Sequence, residues 1–314
     1  MINQAPTDSS TTRRVIDVFL FFNELDLLEL RFRTMYEVVD FFVITECTET
    51  FSGKPKEMTF AQNRSRFRDY EDKIIYNPIS FQDLEYLKTP EWVGLQSDLE
   101  RSLPYKHGGR PAKKLHSSLL REISHRDSGI LALSKIAKPN DLILLSDVDE
   151  IPNPSAVKAI AISGILQPSY FKMKWSLYWI NNRVKEPWVG TVAFNFAMLK
   201  GLSLDMMRYS SCEILNTPGP IIENGGWHFS YLGGSEAITT KLRALPYQGI
   251  RAELAKFLNF FRRKKWQTVL DRNADLLMQN RSMYFVPLDS SFPDAIYKMP
   301  DFIKTYARLN RSSA

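Results

Sequence analysis

Three carboxylates stand within four residues at Asp147-Val148-Asp149-Glu150, directly after the apolar run Leu142-Ile143-Leu144-Leu145-Ser146. A run of that length and composition reads as a buried β-strand. Open α/β sheets bind their ligands outside the carboxyl ends of such strands. Carboxylates clustered there repel one another unless a cation or a set of donors offsets their charge. In extended backbone Asp147 and Asp149, two residues apart, point the same way and can reach one ion. Hard oxygen ligands facing a phosphate-bearing substrate suit Mg2+ or Mn2+. The ion would take up charge as a diphosphate leaves, with Asp149 and Glu150 closest to the chemistry. The competing reading is a helix N-terminus, where Asp and Glu also gather and where Pro152 would fit. Position after the apolar strand favours the metal.

A second constellation is Gly225-Gly226-Trp227-His228-Phe229-Ser230-Tyr231-Leu232-Gly233-Gly234. Glycines permit close backbone approach, and Trp227 offers a face for a sugar or base. His228, one of four histidines, either completes the metal shell through its imidazole or is a core residue on a short strand. Asn23-Glu24 and Glu46 follow the first two strands, where they could contact a nucleoside. Asn23 is equally an N-cap, and Glu46 equally a loop residue. Arg121, Arg126 and Lys241 could clamp phosphates, or be solvated. Trp175, Tyr178 and Trp179 read as core, whereas Trp188 in a Pro-containing loop is the better acceptor platform.

The elements that must position these groups follow from the pattern. Val15–Phe22 is a buried strand, and Asn23 caps a helix carrying Leu27, Leu28, Leu30 and Phe32 at helical spacing. A strand at Val38–Thr45, a helix over 57–69 and a strand at Lys73–Tyr76 continue the alternation of an α/β sheet. Residues 77–112, with Pro78, Pro90, Pro104, Pro111 and the pair Gly108-Gly109, form a long irregular segment. A helix over Lys113–Ala137 leads into the acidic strand. Strands follow at Tyr170–Ile180 and Thr191–Leu199, and the chain from about Ser235 is mainly helical. Residues 1–13 read as a disordered lead-in, and 14–314 as one domain.

Composition limits the classes of function. The 314 residues are 44% hydrophobic and 24% charged, with net charge +6. That is a globular balance with enough length for a sizeable core. The positive excess is diluted apart from Arg262-Arg263-Lys264-Lys265, beside Trp266 on an amphipathic stretch, so no nucleic-acid partner is expected. Two cysteines, Cys47 and Cys212, make no C-x-x-C spacing and no disulfide framework. Residues 1–14 lack an apolar signal core, and no apolar run reaches membrane-spanning length. A soluble, cytoplasmic protein is expected.

Four motifs in order resemble glycosyltransferase family 17. They are Phe21-Phe22-Asn23-Glu24-Leu25-Asp26-Leu27-Leu28-Glu29-Leu30-Arg31-Phe32, Val39–Glu46, Ser146–Pro152 and Gly226–Ser230. The resemblance runs from about residue 15 to 245. It implies a GT-A-like nucleotide-sugar-binding fold with a mixed central sheet, a UDP-sugar donor, inversion at the anomeric carbon and a divalent metal. Asp147 and Asp149 match the family's Asp-x-Asp, Glu46 its acidic residue after the second strand, and His228 its Gly-Trp-His histidine. Tyr247-Gln248-Gly249 stands where many microbial relatives carry His-x-Glu after the lysine matching Lys241.

The expected function is therefore metal-assisted, inverting transfer of a sugar, N-acetylglucosamine by default, from a UDP donor to a glycan hydroxyl. Asp147, Asp149 and His228 are the expected metal ligands. Asn23, Glu24, Glu46, Arg126, Asp147, Trp227 and Lys241 are the expected donor contacts. An inverting transfer needs a carboxylate base, for which Glu223, Glu236 and Asp205 are candidates. The alternative from another class is a non-catalytic glycan- or nucleotide-binding protein on a degenerate transferase fold. A nucleotidyltransferase would call for a Gly-rich phosphate loop near the first strand, and the sequence has none there.

Overall fold

β1 (Val15–Phe21) alternates two sets of side chains between two hydrophobic layers. Val15, Phe19 and Phe21 face α1 (Leu25–Met35), whose Leu28, Leu30 and Phe32 are fully buried. Ile16 and Val18 face the opposite layer. This two-sided burial makes the strand nearly all apolar, as parallel strands covered on both faces are. The exception is Asp17, 0% exposed in the middle of the strand. The structure, a computed structural model, describes residues 13–80, 106–107, 110–111, 117–199, 203–209, 219–234, 238, 240–241, 244, 273 and 281–308.

After β2 (Phe41–Cys47) come a short helix, α2 (Thr59–Gln62), a 3-10 segment (Arg64–Lys73) and β3 (Ile74–Ile79). A small hairpin, β4 (Lys106–His107) and β5 (Arg110–Pro111), precedes two helices, α3 (Ser117–Asp127) and α4 (Gly129–Ile136). β6 (Leu142–Asp147), β7 (Glu150–Pro152) and α5 (Pro154–Ser163) follow. Then come β8 (Ser169–Leu177), β9 (Asn182–Val184), β10 (Trp188–Asn195), α6 (Leu204–Tyr209) and β11 (Ile221–Ser230). β12 (Met283–Phe285), a 3-10 turn (Asp294–Lys298) and α7 (Pro300–Tyr306) complete the described elements.

The main sheet runs β12-β9-β8-β10-β6-β1-β2-β3, with β11 paired to β8 and β7 off that path. β3, β2, β1 and β6 are parallel. β10 joins β6 antiparallel, so the sheet changes direction at the strand that carries the acidic motif. This is the mixed α/β sheet of the expected GT-A-like fold. Register places Phe21 opposite Glu46 and Leu20 opposite Asp147, so three strand ends open on one edge.

Several boundaries differ from those read in the sequence. Glu24, not Asn23, is the N-cap of α1, and no side chain caps the helix. The helix expected over 57–69 is one α-turn followed by 3-10 geometry, with non-helical backbone at Phe67. The single helix expected over 113–137 is two within the described residues. Ser128 separates them, its hydroxyl donating to the carbonyl of His125. Pro152 ends β7, and the helix starts at Pro154, capped by the Asn153 side chain on Ser155 N at 3.0 Å. Most of the expected C-terminal helical region, including Arg262–Lys265, lies outside the described residues. The part described from 281 onward holds one short strand, one 3-10 turn and one seven-residue helix.

Candidate active site

The acidic motif is a strand end, a tight turn and a new strand rather than one extended segment. Asp147 closes β6, Val148 and Asp149 turn, and Glu150 opens β7. Asp147 and Asp149 therefore do not share the orientation that extended backbone would impose, and each has its own cations. Asp147 Oδ1 accepts from Arg126 Nη1 at 2.8 Å, and its Oδ2 from Arg208 Nη2 at 3.4 Å. Asp149 Oδ2 accepts from Lys241 Nζ at 2.6 Å. Its Oδ1 lies 3.6 Å from His228 Nε2. Burial pushes both carboxyls up, but the neighbouring cations outweigh it. Arg126 and then Arg208 hold Asp147 at about 2. Lys241 and then His228 hold Asp149 well below the usual carboxylate range.

What freezes the turn is Arg31, a residue that reading the sequence passed over. It reaches from α1 with no exposed surface. Nη1 donates to the carbonyls of Asp147, Val148 and Glu150 at 3.0, 3.3 and 2.7 Å. Nε and Nη2 grip Asp17 at 2.7 and 2.6 Å, and Nη2 also reaches Ser146 Oγ. The signal was available, because a carboxylate inside an otherwise apolar strand requires a buried cation. Arg208, on α6, was also missed; an arginine on a short helix far along the chain carries no local mark of its partner.

Glu150 supports the turn from beneath. Its Oε1 accepts from Trp188 Nε1 and Arg208 Nη2, both at 2.6 Å, and its Oε2 from Asp147 N at 3.2 Å. With its side chain 1% exposed, Glu150 holds the motif's shape rather than facing a substrate. Trp188 folds back onto Glu150 and lies 4.5 Å, centroid to centroid, from His228.

β11 brings in the histidine. Phe229 N donates to the Asp149 carbonyl at 2.9 Å, and His228 pairs in register with Glu150 and Trp175. Gly226 permits this approach: its φ is +137°, and a Cβ there would collide with the Ile151 carbonyl of β7. Alternation along the strand turns Trp227 to the other face. It packs in the main core and gives its indole N–H to the Ser291 carbonyl at 2.7 Å, so the expected donor contact is a structural residue. His228 stacks on Trp175 at 5.9 Å with planes 11° apart, and its buried Nδ1 has no hydrogen-bond partner.

Of the other expected donor contacts, Glu24 joins the cluster, 3.2 Å from Lys241 Nζ. Asn23 sits exposed beside it, its N–H donating to Glu24 Oε2. Arg126 is 1% exposed and shared among Asp147, Asp205 and Glu122. Glu46 is engaged internally: its oxygens accept from Lys56 Nζ, Phe60 N and Tyr76 Oη, tying the 56–60 segment to β2. Among the base candidates, Asp205 is fully buried with Arg126, its N–H on Asp127 Oδ1 at 2.8 Å. Glu223 pairs with Lys172 on an exposed stretch five residues before His228 and is not brought to the cluster. Glu236 lies outside the described residues.

The donor set can be tested against a divalent ion. Among the described residues, Asp147 pairs with Arg126 and Arg208, and Asp149 pairs with Lys241 and faces His228. Among the described residues no three His, Cys, Asp or Glu side chains form a ready-made metal cage. The expected Asp147–Asp149–His228 triad is therefore not preassembled. Mg2+ and Mn2+ sites that serve phosphates use one or two carboxylates and complete their shell from substrate and water. Asp149 Oδ1 and His228 Nε2, facing each other at 3.6 Å, fit that requirement.

Residues 5–93 match the family model of Glycosyltransferase family 17. Over 202 residues the chain is 28% identical to the β-1,4-mannosyl-glycoprotein 4-β-N-acetylglucosaminyltransferase of Rattus norvegicus, and equally to that of Homo sapiens. Over the matched residues the chain is similar to glycosyltransferase family 17. The aligned part covers 62% of this chain and 31% of those relatives, so the chain spans about a third of their length. Among solved structures, glucosyl-3-phosphoglycerate synthase from Mycobacterium tuberculosis, in complex with Mn2+, UDP-glucose and phosphoglyceric acid, gives a TM-score of 0.32. Identity is 11% over 91% of each chain. The inositol-1-phosphate CTP transferase of T. maritima gives 0.33 at 9% identity, over 95% of this chain and 99% of that one. No helix among the described residues is long and apolar enough to cross a membrane.

Proposed function

We propose that this protein is a family 17 glycosyltransferase that transfers a sugar, N-acetylglucosamine by default, from a UDP donor to a glycan hydroxyl with inversion and with help from a divalent ion. One observation carries the reading: the Asp147–Glu150 turn stands at the carboxyl end of β6, beside the ends of β1 and β2, with His228 turned toward Asp149. Relatives named as N-acetylglucosaminyltransferases support the donor sugar and the glycan acceptor. In this reading Asp149 and His228 hold the ion. When bound, the ion offsets the charge gathering on the departing diphosphate.

The chain's own residues do the rest. Arg31 keeps the turn rigid, so its ligands need no reorganisation when the leaving group develops charge. Arg126 and Arg208 keep Asp147 ionised, and Glu150 and Trp188 brace the turn from below. Lys241 stands at the open side with Glu24, ready for an anionic donor.

The test is a thermal-shift panel of UDP, GDP and CMP, each with Mn2+, followed by hydrolysis assays on the matching nucleotide sugars. Ligand at a hundredfold excess over its dissociation constant stabilises by about 2.7 kcal/mol, so UDP should raise the melting temperature clearly. A clear shift with GDP and none with UDP overturns the donor assignment. Undiminished hydrolysis in excess EDTA overturns the metal assistance.

A further inference from the structure

Lys241 already occupies one side of the carboxylate that the divalent ion needs. Its Nζ lies 2.6 Å from Asp149 Oδ2 and 3.2 Å from Glu24 Oε1, with its side chain 24% exposed. Tyr231, in the left-handed region at φ 56°, directly follows β11, and its ring lies 5.6 Å from the ammonium. The chain turns there, so Lys241 reaches Asp149 from outside the motif. The opposite oxygen of Asp149 faces His228 Nε2 at 3.6 Å. One carboxylate thus presents an oxygen to an ammonium and an oxygen to an imidazole with an unpartnered Nδ1.

An ion accepted on the imidazole side would share Asp149 with a positive charge a few ångströms away. Like charges at that range, largely removed from water, repel strongly. A nucleoside diphosphate reverses the balance, since its oxygens carry enough negative charge for two cations. We propose that Lys241 couples the two ligands: its ammonium disfavours the divalent ion alone and serves as a diphosphate contact once ion and nucleotide are both present. Ion and nucleotide then bind as a pair. This rests on the metal-assisted reading above and adds a role for Lys241 in the order of binding.

The experiment measures Mn2+ binding by the paramagnetic resonance signal of the free ion, with and without UDP. The proteins are the wild type, Lys241→Met, Lys241→Arg and Asp149→Asn, with far-UV circular dichroism confirming each fold. Removing the charge should tighten binding of Mn2+ alone about tenfold. The factor by which UDP improves Mn2+ affinity should fall about a hundredfold, and by reciprocity so should the factor by which Mn2+ improves UDP affinity. Lys241→Arg, which keeps the charge, should retain most of the coupling. If Lys241→Met binds Mn2+ alone more weakly, or keeps the wild-type coupling factor, Lys241 only orients Asp149 and the proposal falls. Asp149→Asn separates the two layers. If it binds Mn2+ with UDP as the wild type does, the metal reading itself fails and takes the coupling with it.

Discussion

Arg31 and Asp17 are both completely buried and meet through two parallel bonds, Nε to Oδ2 at 2.7 Å and Nη2 to Oδ1 at 2.6 Å. The pair locks the first helix to the first strand and leaves Nη1 free to bind three carbonyls of the acidic turn. Stability and site geometry therefore run through the same guanidinium.

The two contributions can be separated. Arg31→Met leaves Asp17 as an uncompensated buried charge, which costs about 3–5 kcal/mol. Replacing both, as Arg31→Met with Asp17→Leu, should recover most of that in urea unfolding, because apolar replacement of a buried ion pair is often close to neutral. Nucleotide binding should stay impaired in the double variant, since the carbonyls of Asp147, Val148 and Glu150 lose their donor. Wild-type UDP affinity in the recovered double variant would rule out the positioning role.

Gly190 is the place to disturb the brace without touching it. A Cβ there would stand 2.7 Å from the Trp188 ring and 3.0 Å from Glu150 Cδ. Gly190→Ala should push Trp188 off Glu150 at a cost of about 1–3 kcal/mol, and turnover should fall at least about tenfold with the loosened turn. Melting temperature, tryptophan fluorescence and rate measure the three consequences. An unchanged rate alongside shifted fluorescence would show that Glu150 holds the turn without Trp188.

Asp127 gives a pH dependence whose sign can be stated. Burial, and then the charge of Asp205, push its carboxyl up to about 8, against the hydrogen bond from Asp205 N–H. Unfolded, an Asp titrates near about 3.9. A folded value above the unfolded one contributes stability below about pH 4 that is lost as pH rises through about 8. Relative to Asp127→Asn, the wild type should lose stability across that window by up to about 1.4 kcal/mol per pH unit. Urea midpoints at pH 5 and pH 8 check it. Parallel pH profiles for the two proteins would mean that Asp127 does not take up a proton on folding.

Much of the fold was legible because burial leaves a local trace. Val15–Phe21, Phe41–Cys47 and Leu142–Asp147 are strands covered on both faces, and their apolar runs say so directly. Helix limits were less legible. Helix α1 starts without a side-chain cap, and a serine hydroxyl divides the long helix before β6. Such bonds between neighbours compete on nearly equal terms, and composition does not rank them.

For the site, the sequence by itself singled out the candidate carboxylates and histidine, because Asp147, Asp149 and Glu150 close an apolar strand and His228 sits between turn glycines. It also implied the family, through motifs that lie in order along the chain. Only the tertiary structure decided what each group touches. It turned the chain between Asp147 and Asp149 and gave them separate cations, and it sent Trp227 into the core. It put Glu150 under the turn, and it drew Arg31, Arg208 and Lys241 from three distant segments. The physical reason is range. Burial and backbone preference act between neighbours in sequence, whereas a buried charge is settled by whichever partner the fold brings within hydrogen-bonding distance.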